Sequence, residues 1–389
     1  MIKRQPVVLK KGRDKSVRNR HHWIFSGAVA QYPEFEDGDL LPVVSHEGEL
    51  LGYGYFNRRC SLCGRMVSFG RQDPWEAMEE NLDRAVEMRR QLLAGTNAGR
   101  LINAEGDALP GLVVDQYGEV LLLQISTLGM VKLKERVIHW LVGKIKPRSI
   151  YEKSDSPARK EEGLAPFQGL IYGGAVEEVE IEENGLKFLV NIPRGQKTGF
   201  FLDQRSMREL LQNFASGRRV LDLFSYTGAF SVYALSGGAK EATLVESSAF
   251  ALDLAQRNFE INGFSLDRVN LVRTDAFKFL HQENLSYDLI ICDPPSFARR
   301  KSDLPGAYRG LKQLHRLLFR RVPAESLVMT FSCSYYVSGS AFQKLIFQAA
   351  QQEGRLVRLL QRHRLAFDHP LNIFHPESEY LKGFLLVVD

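Results

Sequence analysis

Five residues of this 389-residue chain are of a type and spacing that can do chemistry: Asp222, Glu246, Asp275, Asp293 and Cys333. Each acid closes a short apolar run, in VLD (220–222), TLVE (243–246), VRTD (272–275) and IICD (290–293). Glu246 stands 24 residues after Asp222, where an acid can hold both hydroxyls of a ribose. Asp275 is placed to accept from an adenine amino group. Asp293 opens DPPSF (293–297), a turn stiffened by two prolines. Cys333 follows a fifth apolar run, in TFSCSY (330–335). A thiolate can add to carbon 6 of a pyrimidine and so make carbon 5 electron-rich. A base must then take the carbon-5 proton before the sulfur leaves.

Single acids at strand ends usually cap helices. Four in succession point instead to a shared ligand. The dinucleotide fingerprint G-x-G-x-x-G is absent, and with it the close backbone approach that a pyrophosphate needs. GQKTG (195–199) lacks the spacing of a phosphate-binding P-loop. A cationic, phosphate-free adenosine suits the acids better, and S-adenosylmethionine is such a ligand. The other cysteines read as structural. Cys292 sits within an apolar strand. Cys60 and Cys63 form a CxxC without a second pair, and in a strand they would face opposite sides. No metal site is expected.

The elements that must position these residues fall into three segments. Residues 1–72 read as short strands and turns, with Leu40 to Val44 and Leu50 to Phe56 flanking a polar turn. Residues 73–192 begin with a helix from about Glu76 to Leu93. A strand–strand–helix–strand–strand unit follows, with strands at 112–114 and 120–125 turning at Gln116–Gly118 and a helix over about 131–145. Glu183-Asn184-Gly185 marks a hairpin. Residues 193–389 alternate strands and helices, with strands at 219–224, 241–246, 269–273, 287–292, 326–331, 355–362 and 380–388. That alternation predicts a doubly wound α/β sheet, and the last two strands, without a long helix between them, predict an antiparallel edge. In such a sheet ligands bind at the carboxyl ends of the strands, where the four acids fall.

Charge is unevenly placed. The net charge is +5, and residues 1–72, with 12 Lys/Arg against 7 Asp/Glu, carry all of it. Lys11, Arg13, Arg18 and Arg20 belong to this basic start, a candidate phosphate-binding arm. A second basic run, 299–321, holds eight bases and one acid. On a helix Arg309, Lys312 and Arg316 share one face, and Leu311, Leu314 and Leu318 the opposite one. With Arg299 and Arg300 they are candidates for RNA phosphates. No apolar run reaches the ~20 residues of a membrane span, the N-terminal segment lacks a signal-peptide core, and four scattered cysteines fit a reducing compartment. A cytoplasmic protein is expected.

Taken together these residues resemble the bacterial 23S rRNA cytosine-5 methyltransferases of the RlmI/RlmO type, over the full length. RHHWIFSGAV (20–29) resembles the start of their N-terminal PUA domain and GLVVDQYG (111–118) their central domain. KTGFFLDQR (197–205), LDLFSYTGAF (221–230), DPPSF and FSCS (331–334) resemble their methyltransferase motifs. The resemblance implies a small β-barrel-like PUA domain over 1–72, a central α+β domain over 73–192 and a Rossmann-like class I methyltransferase domain over 193–389. It implies Cys333 as nucleophile with Asp293 in the catalytic site. It places Phe200, Gln204, Asp222, Phe224, Tyr226, Gly228, Glu246, Asp275 and Asp293 around S-adenosylmethionine. It also implies 23S rRNA as partner, naked or in a pre-ribosomal particle, no membrane, and is compatible with a homodimer. PESEYLKG (376–383) matches too, with Glu377 or Glu379 open as proton acceptor or as a structural residue. A guanine-N7 methyltransferase, which needs no cysteine, and a non-enzymatic assembly factor are the alternatives.

Overall fold

The computed structural model describes residues 5–282, 285–298, 300–363 and 365–389. The chain forms two compact units. One comprises the chain up to Glu182 with Val190–Leu202 and Phe367–Ser378, the other Glu183–Leu189, Asp203–Ala366 and Glu379–Asp389.

The first unit opens with β1 (Val7–Leu9), α1 (Lys15–Arg18), β2 (Trp23–Phe25), β3 (Val29–Gln31), β4 (Leu40–Val44), β5 (Leu50–Phe56) and β6 (Leu62–Phe69). These strands form one sheet in the order β2-β6-β5-β4-β1-β3, with β1 and β4 parallel and the other pairs antiparallel. Val7, Leu9, Ile24, Val43, Phe56 and Met66 are among its buried core. The CxxC does not lie in one strand as expected: Cys60 precedes β6 and only Cys63 is in it, and both thiols are free. The helix α2 (Pro74–Leu92) begins where Asp73 accepts the Trp75 amide and Pro74 occupies the first turn, in which no amide partner is required.

A second sheet follows, built from β7 (Ala98–Asn103), β8 (Leu112–Tyr117), β9 (Val120–Ile125), α3 (Leu128–Ile145), β10 (Ser149–Ser154), α4 (Pro157–Glu161) and β11 (Phe167–Gly173), in the order β11-β10-β9-β8-β7. Strands β9 and β10 are parallel, so α3 is their crossover. β7 and β11 were not anticipated. β11 is an edge strand whose side chains alternate between exposed and half-buried, so it lacks the apolar alternation that marks a strand. β8 runs through Tyr117, which moves the reversal to Gly118, at φ +56°. Tyr53, Tyr55 and Val67 of the first sheet share one core with Met78, Leu82 and Val86 of α2 and Leu112, Val114 and Leu121 of the second. That common core makes one unit of two sheets.

β12 (Glu178–Glu183) and β13 (Leu186–Asn191) form a separate hairpin. Its turn residues Asn184 and Gly185 both have positive φ, 52° and 77°, the type I′ geometry that Asn-Gly favours.

The second unit holds α5 (Arg205–Gln212), β14 (Arg219–Leu223), α6 (Ala229–Ser236), β15 (Glu241–Glu246), α7 (Ala249–Ile261), β16 (Val269–Arg273), α8 (Ala276–Gln282), β17 (Leu289–Cys292), α9 (Leu304–Arg321), β18 (Ser326–Ser332), α10 (Gly339–Gln352), β19 (Val357–Arg362) and β20 (Lys382–Val388). The sheet order is β16-β15-β14-β17-β18-β20-β19. β14 to β18 pair in parallel, and β20 is antiparallel to both neighbours, as expected for the edge. The order reverses between β14 and β17, which makes that crevice the switch point. Among the described residues, no helix is long and apolar enough to cross a membrane.

Candidate active site

The loop from Phe224 to Gly228 joins β14 to α6. Phe224, Tyr226 and Gly228 all have positive φ, 62°, 49° and 73°. For the two aromatic residues this costs on the order of 1–2 kcal/mol each. The surroundings hold the loop there. The Phe224 amide donates to Val245 O at 2.9 Å, the Tyr226 amide to Glu246 Oε2 at 3.1 Å, and buried Asn258 donates to Thr227 O at 2.9 Å. Asn258 Oδ1 accepts the Leu189 amide at 2.8 Å, so the residue that grips the loop is itself anchored. A side chain at Gly228 would force its neighbours to move: a Cβ would come 2.8 Å from Leu244 Cδ2 and 3.2 Å from Ala255 Cβ.

The four acids lie at or just past the carboxyl ends of their strands, and each finds a different partner. Asp222 is buried and accepts from Ser231 Oγ at 2.8 Å. Burial, reinforced by the nearby negative charges of Asp293 and Glu246, pushes its pKa up to about 7. Glu246 accepts the Tyr226 and Ser248 amides, at 3.1 and 2.9 Å. Asp275 accepts the Lys278 amide at 3.1 Å, so here the ordinary helix cap is present. Asp293 Oδ2 accepts from Gln204 Nε2 at 3.2 Å. Gln204 Oε1, Ser225 Oγ and Thr227 Oγ1 are buried with no hydrogen-bond partner among the described residues. Unpaired buried polar atoms are costly, and three of them around an acid-rimmed loop form a cradle that a polar adenosine ligand would complete.

Cys333 lies one residue past β18. The registers run Leu223 to Cys292 and Cys292 to Thr330, so Asp293 and the Cys333 segment leave neighbouring strands at the same end of the sheet. The Cys333 thiol donates to Pro294 O at 3.8 Å. Cys292, by contrast, is wholly buried, and burial drives its thiol pKa far up. Ser231 and Asn258 were missed in the sequence because a lone Ser or Asn inside a helix carries no local signal. Phe200 is buried in the first unit, where its carbonyl accepts from Tyr117 Oη at 3.4 Å.

Several basic candidates are engaged within the chain. Arg18 pairs with Asp14 at 2.5 Å and Glu49 at 2.6 Å. Arg316 and Arg320 both pair with Glu353, each at 2.8 Å. Lys11, Arg13, Arg20, Arg300 and Arg309 are exposed, Lys312 is half-buried, and Arg299 lies outside the described residues. Leu311, Leu314 and Leu318 are buried as their spacing predicts. Arg18, Arg20, His21, Ile373 and Phe374 line a cavity of about 680 Å³. At its edge His21 Nε2 meets Glu377 Oε2 at 3.1 Å, beside buried His375. His21 Nδ1 accepts the Trp23 amide, which leaves the ring proton on Nε2, directed at Glu377. Within the trio His21 and Glu377 are hydrogen-bonded, and His375 Nδ1 lies 3.8 Å from the same Glu377 oxygen. Glu377, in the first unit, is committed to His21.

The fold and the acid-rimmed loop define a Rossmann-like methyltransferase domain. The family model described as S-adenosylmethionine-dependent methyltransferase matches residues 168–361, and a PUA-like domain model matches residues 7–69. A methyltransferase solved in complex with S-adenosylhomocysteine superposes with a TM-score of 0.85 at 26% identity, over 98% of this chain and 99% of that one. Two curated proteins named ribosomal RNA large subunit methyltransferase I are similar throughout. That of Alteromonas mediterranea is 38% identical and that of Aeromonas salmonicida 39%, each over 98% of both chains. The chain belongs to this family of S-adenosylmethionine-dependent methyltransferases.

Proposed function

We propose that the protein methylates carbon 5 of a cytidine in 23S rRNA, in the cytoplasm, through a transient covalent bond from Cys333. The rRNA assignment rests on the names of the relatives, which are ribosomal RNA large subunit methyltransferases. The observation that carries the cytosine reading is the half-buried Cys333 thiol over the Pro294 carbonyl of DPPSF, at the strand ends that also present Asp222 and Asp293.

S-adenosylmethionine, held by Gln204, Asp222, Phe224, Tyr226, Gly228, Glu246, Asp275 and Asp293, supplies an electrophilic methyl group. Phe200 belongs to the same proposed set. The Cys333 thiolate forms a bond to carbon 6 of the base and pushes an electron pair toward carbon 5, which would take the methyl group as its bond to the sulfonium breaks and S-adenosylhomocysteine leaves. A base then removes the carbon-5 proton, the 5,6 double bond re-forms, and the carbon–sulfur bond breaks with its electron pair returning to sulfur. Asp293, fixed by Gln204, orients the reacting ring. Residues 1–72 act as the PUA-like RNA-binding module, 73–192 as the central domain and 193–389 as the catalytic domain. Lys11, Arg13, Arg20, Arg299, Arg300, Arg309 and Lys312 meet phosphates.

The test is to incubate a 23S rRNA transcript with protein and S-adenosylmethionine and digest it to nucleosides for mass spectrometry. 5-Methylcytidine is the expected product. 7-Methylguanosine in its place would overturn the cytosine reading and leave Cys333 without a role in bond making.

A further inference from the structure

Cys333 has a cation built in beside it. Lys382, the first residue of β20, stands directly opposite Ser332 in the antiparallel pair with β18. That register brings its side chain to the exit of the strand that delivers the cysteine. Lys382 is half-buried, and its Nζ donates to Ser334 O and to Tyr380 O, both at 2.9 Å. One bond therefore fixes the carbonyl of the residue that follows Cys333, while the thiol itself contacts Pro294 O. The ammonium also interacts through space with the Cys333 sulfur and with the Glu379 carboxylate.

Burying a lysine stem and its charge is unfavourable without a return. Burial does lower the Lys382 pKa below that of a free lysine, while the charges of Glu379 and Cys333 oppose that shift. Pinning one carbonyl would need only a neutral donor. The charge faces the Glu379 carboxylate first and the Cys333 sulfur second, and the sulfur is the group whose reactivity gains from a positive neighbour. With its hydrogens aimed at two carbonyls, Lys382 is arranged as a donor and not as the acceptor of the carbon-5 proton.

We propose that Lys382 is a positioning residue for Cys333: it clamps the carbonyl of Ser334, the residue after the cysteine, and holds a positive charge beside the sulfur, so that the thiol gives its proton to solvent near neutral pH. This rests on the reading of Cys333 as nucleophile given above.

The experiment follows alkylation of the full-length protein by iodoacetamide across pH 5.5–10, quantified by mass spectrometry of the Cys333 peptide. The Cys60 peptide serves as internal reference, since burial and the neighbouring Glu162 push that thiol up to about 12. In wild type the Cys333 titration midpoint falls below the ~8.5 of a free cysteine. Lys382→Met raises it by about one unit, which slows alkylation at pH 7 about ten-fold. Lys382→Arg keeps the wild-type midpoint. Thermal unfolding and S-adenosylhomocysteine binding verify that the variants fold. A wild-type midpoint at or above ~8.5 overturns the proposal. So does a Met variant with an unmoved midpoint, or one slowed equally at every pH, which is what loss of the Ser334 clamp alone would give. Should the Met variant not fold, the wild-type midpoint and the Arg variant still decide. A low midpoint that depends on Lys382 stands even if no adduct forms on cytosine, so failure here and failure of the cytosine reading are separate results.

Discussion

Replacing Gly228 by alanine tests how the cofactor loop is built. Two costs add. At φ +73° an alanine pays the left-handed penalty, about 1 kcal/mol. Its Cβ would also lie 2.8 Å from Leu244 Cδ2 and 3.2 Å from Ala255 Cβ, both on packed elements, and overpacking of this kind costs about 2 kcal/mol. The sum is about 3 kcal/mol, a large part of the ~5–15 kcal/mol that holds a typical domain. Gly217 separates the two contributions, because it has nearly the same φ, +71°, with nothing within 4 Å of its Cβ position. Gly217→Ala should lose only about 1 kcal/mol. Urea unfolding of both variants measures the difference, and calorimetry with S-adenosylhomocysteine measures the consequence. Gly228→Ala should bind at least about ten-fold more weakly, because α6 must shift away from β15 and carry Ser231 from Asp222, whereas Gly217→Ala should bind as wild type does. Equal destabilisation by the two substitutions would show that the loop has room at Gly228 and would refute the reasoning.

Other consequences follow from the buried charges. The Asp222 pKa of about 7 means that its carboxylate fills in between pH 6 and 8, so S-adenosylhomocysteine affinity, read by calorimetry, should rise roughly ten-fold over that interval and become flat in Asp222→Asn. Glu183, fully buried, accepts from Arg205 Nε at 2.9 Å and from Arg208 Nη2 at 2.6 Å. Glu183→Gln removes the buried carboxylate charge that two guanidinium groups share and should lower stability by about 3–5 kcal/mol in urea. A loss under about 1 kcal/mol would mean that water reaches the pair. Burial depresses the pKa of His22 to about 3 and of His315 to about 4. A histidine with a lowered folded pKa destabilises as pH falls below its unfolded value of ~6.5. Each should therefore remove about 2 kcal/mol by pH 5, and His315→Gln should flatten its part of that acid limb in thermal unfolding.

Much of this arrangement was legible in the sequence, for physical reasons. β15 matches its expected span because a strand inside a parallel sheet covered on both faces needs a continuous apolar run. The Asn184-Gly185 turn was readable because few residue pairs accept two positive φ values. The strand-end acids were readable because β14 to β17 end in register. What stayed hidden depends on long-range pairing. Ser231 reaches Asp222 only once α6 has folded back on β14, and Asn258 reaches Thr227 from α7. Lys382 meets the Cys333 segment through a pairing across 50 residues, Ser332 to Lys382. The pairing of Arg316 with Glu353 could not be read from the sequence, because Glu353 is 37 residues away, just past α10. Edge strands such as β11 leave no pattern, since neither face is buried.

The central claim is that Cys333 makes a bond to a cytosine, and RNA carrying 5-fluorocytidine tests it most directly. Fluorine at carbon 5 cannot leave as a proton does, so a covalent catalyst stays on its substrate. With S-adenosylmethionine present, wild type should give a slow-migrating protein–RNA band on a denaturing gel, and Cys333→Ala should give none. If wild type methylates the unmodified RNA yet yields no such band, the covalent account is wrong.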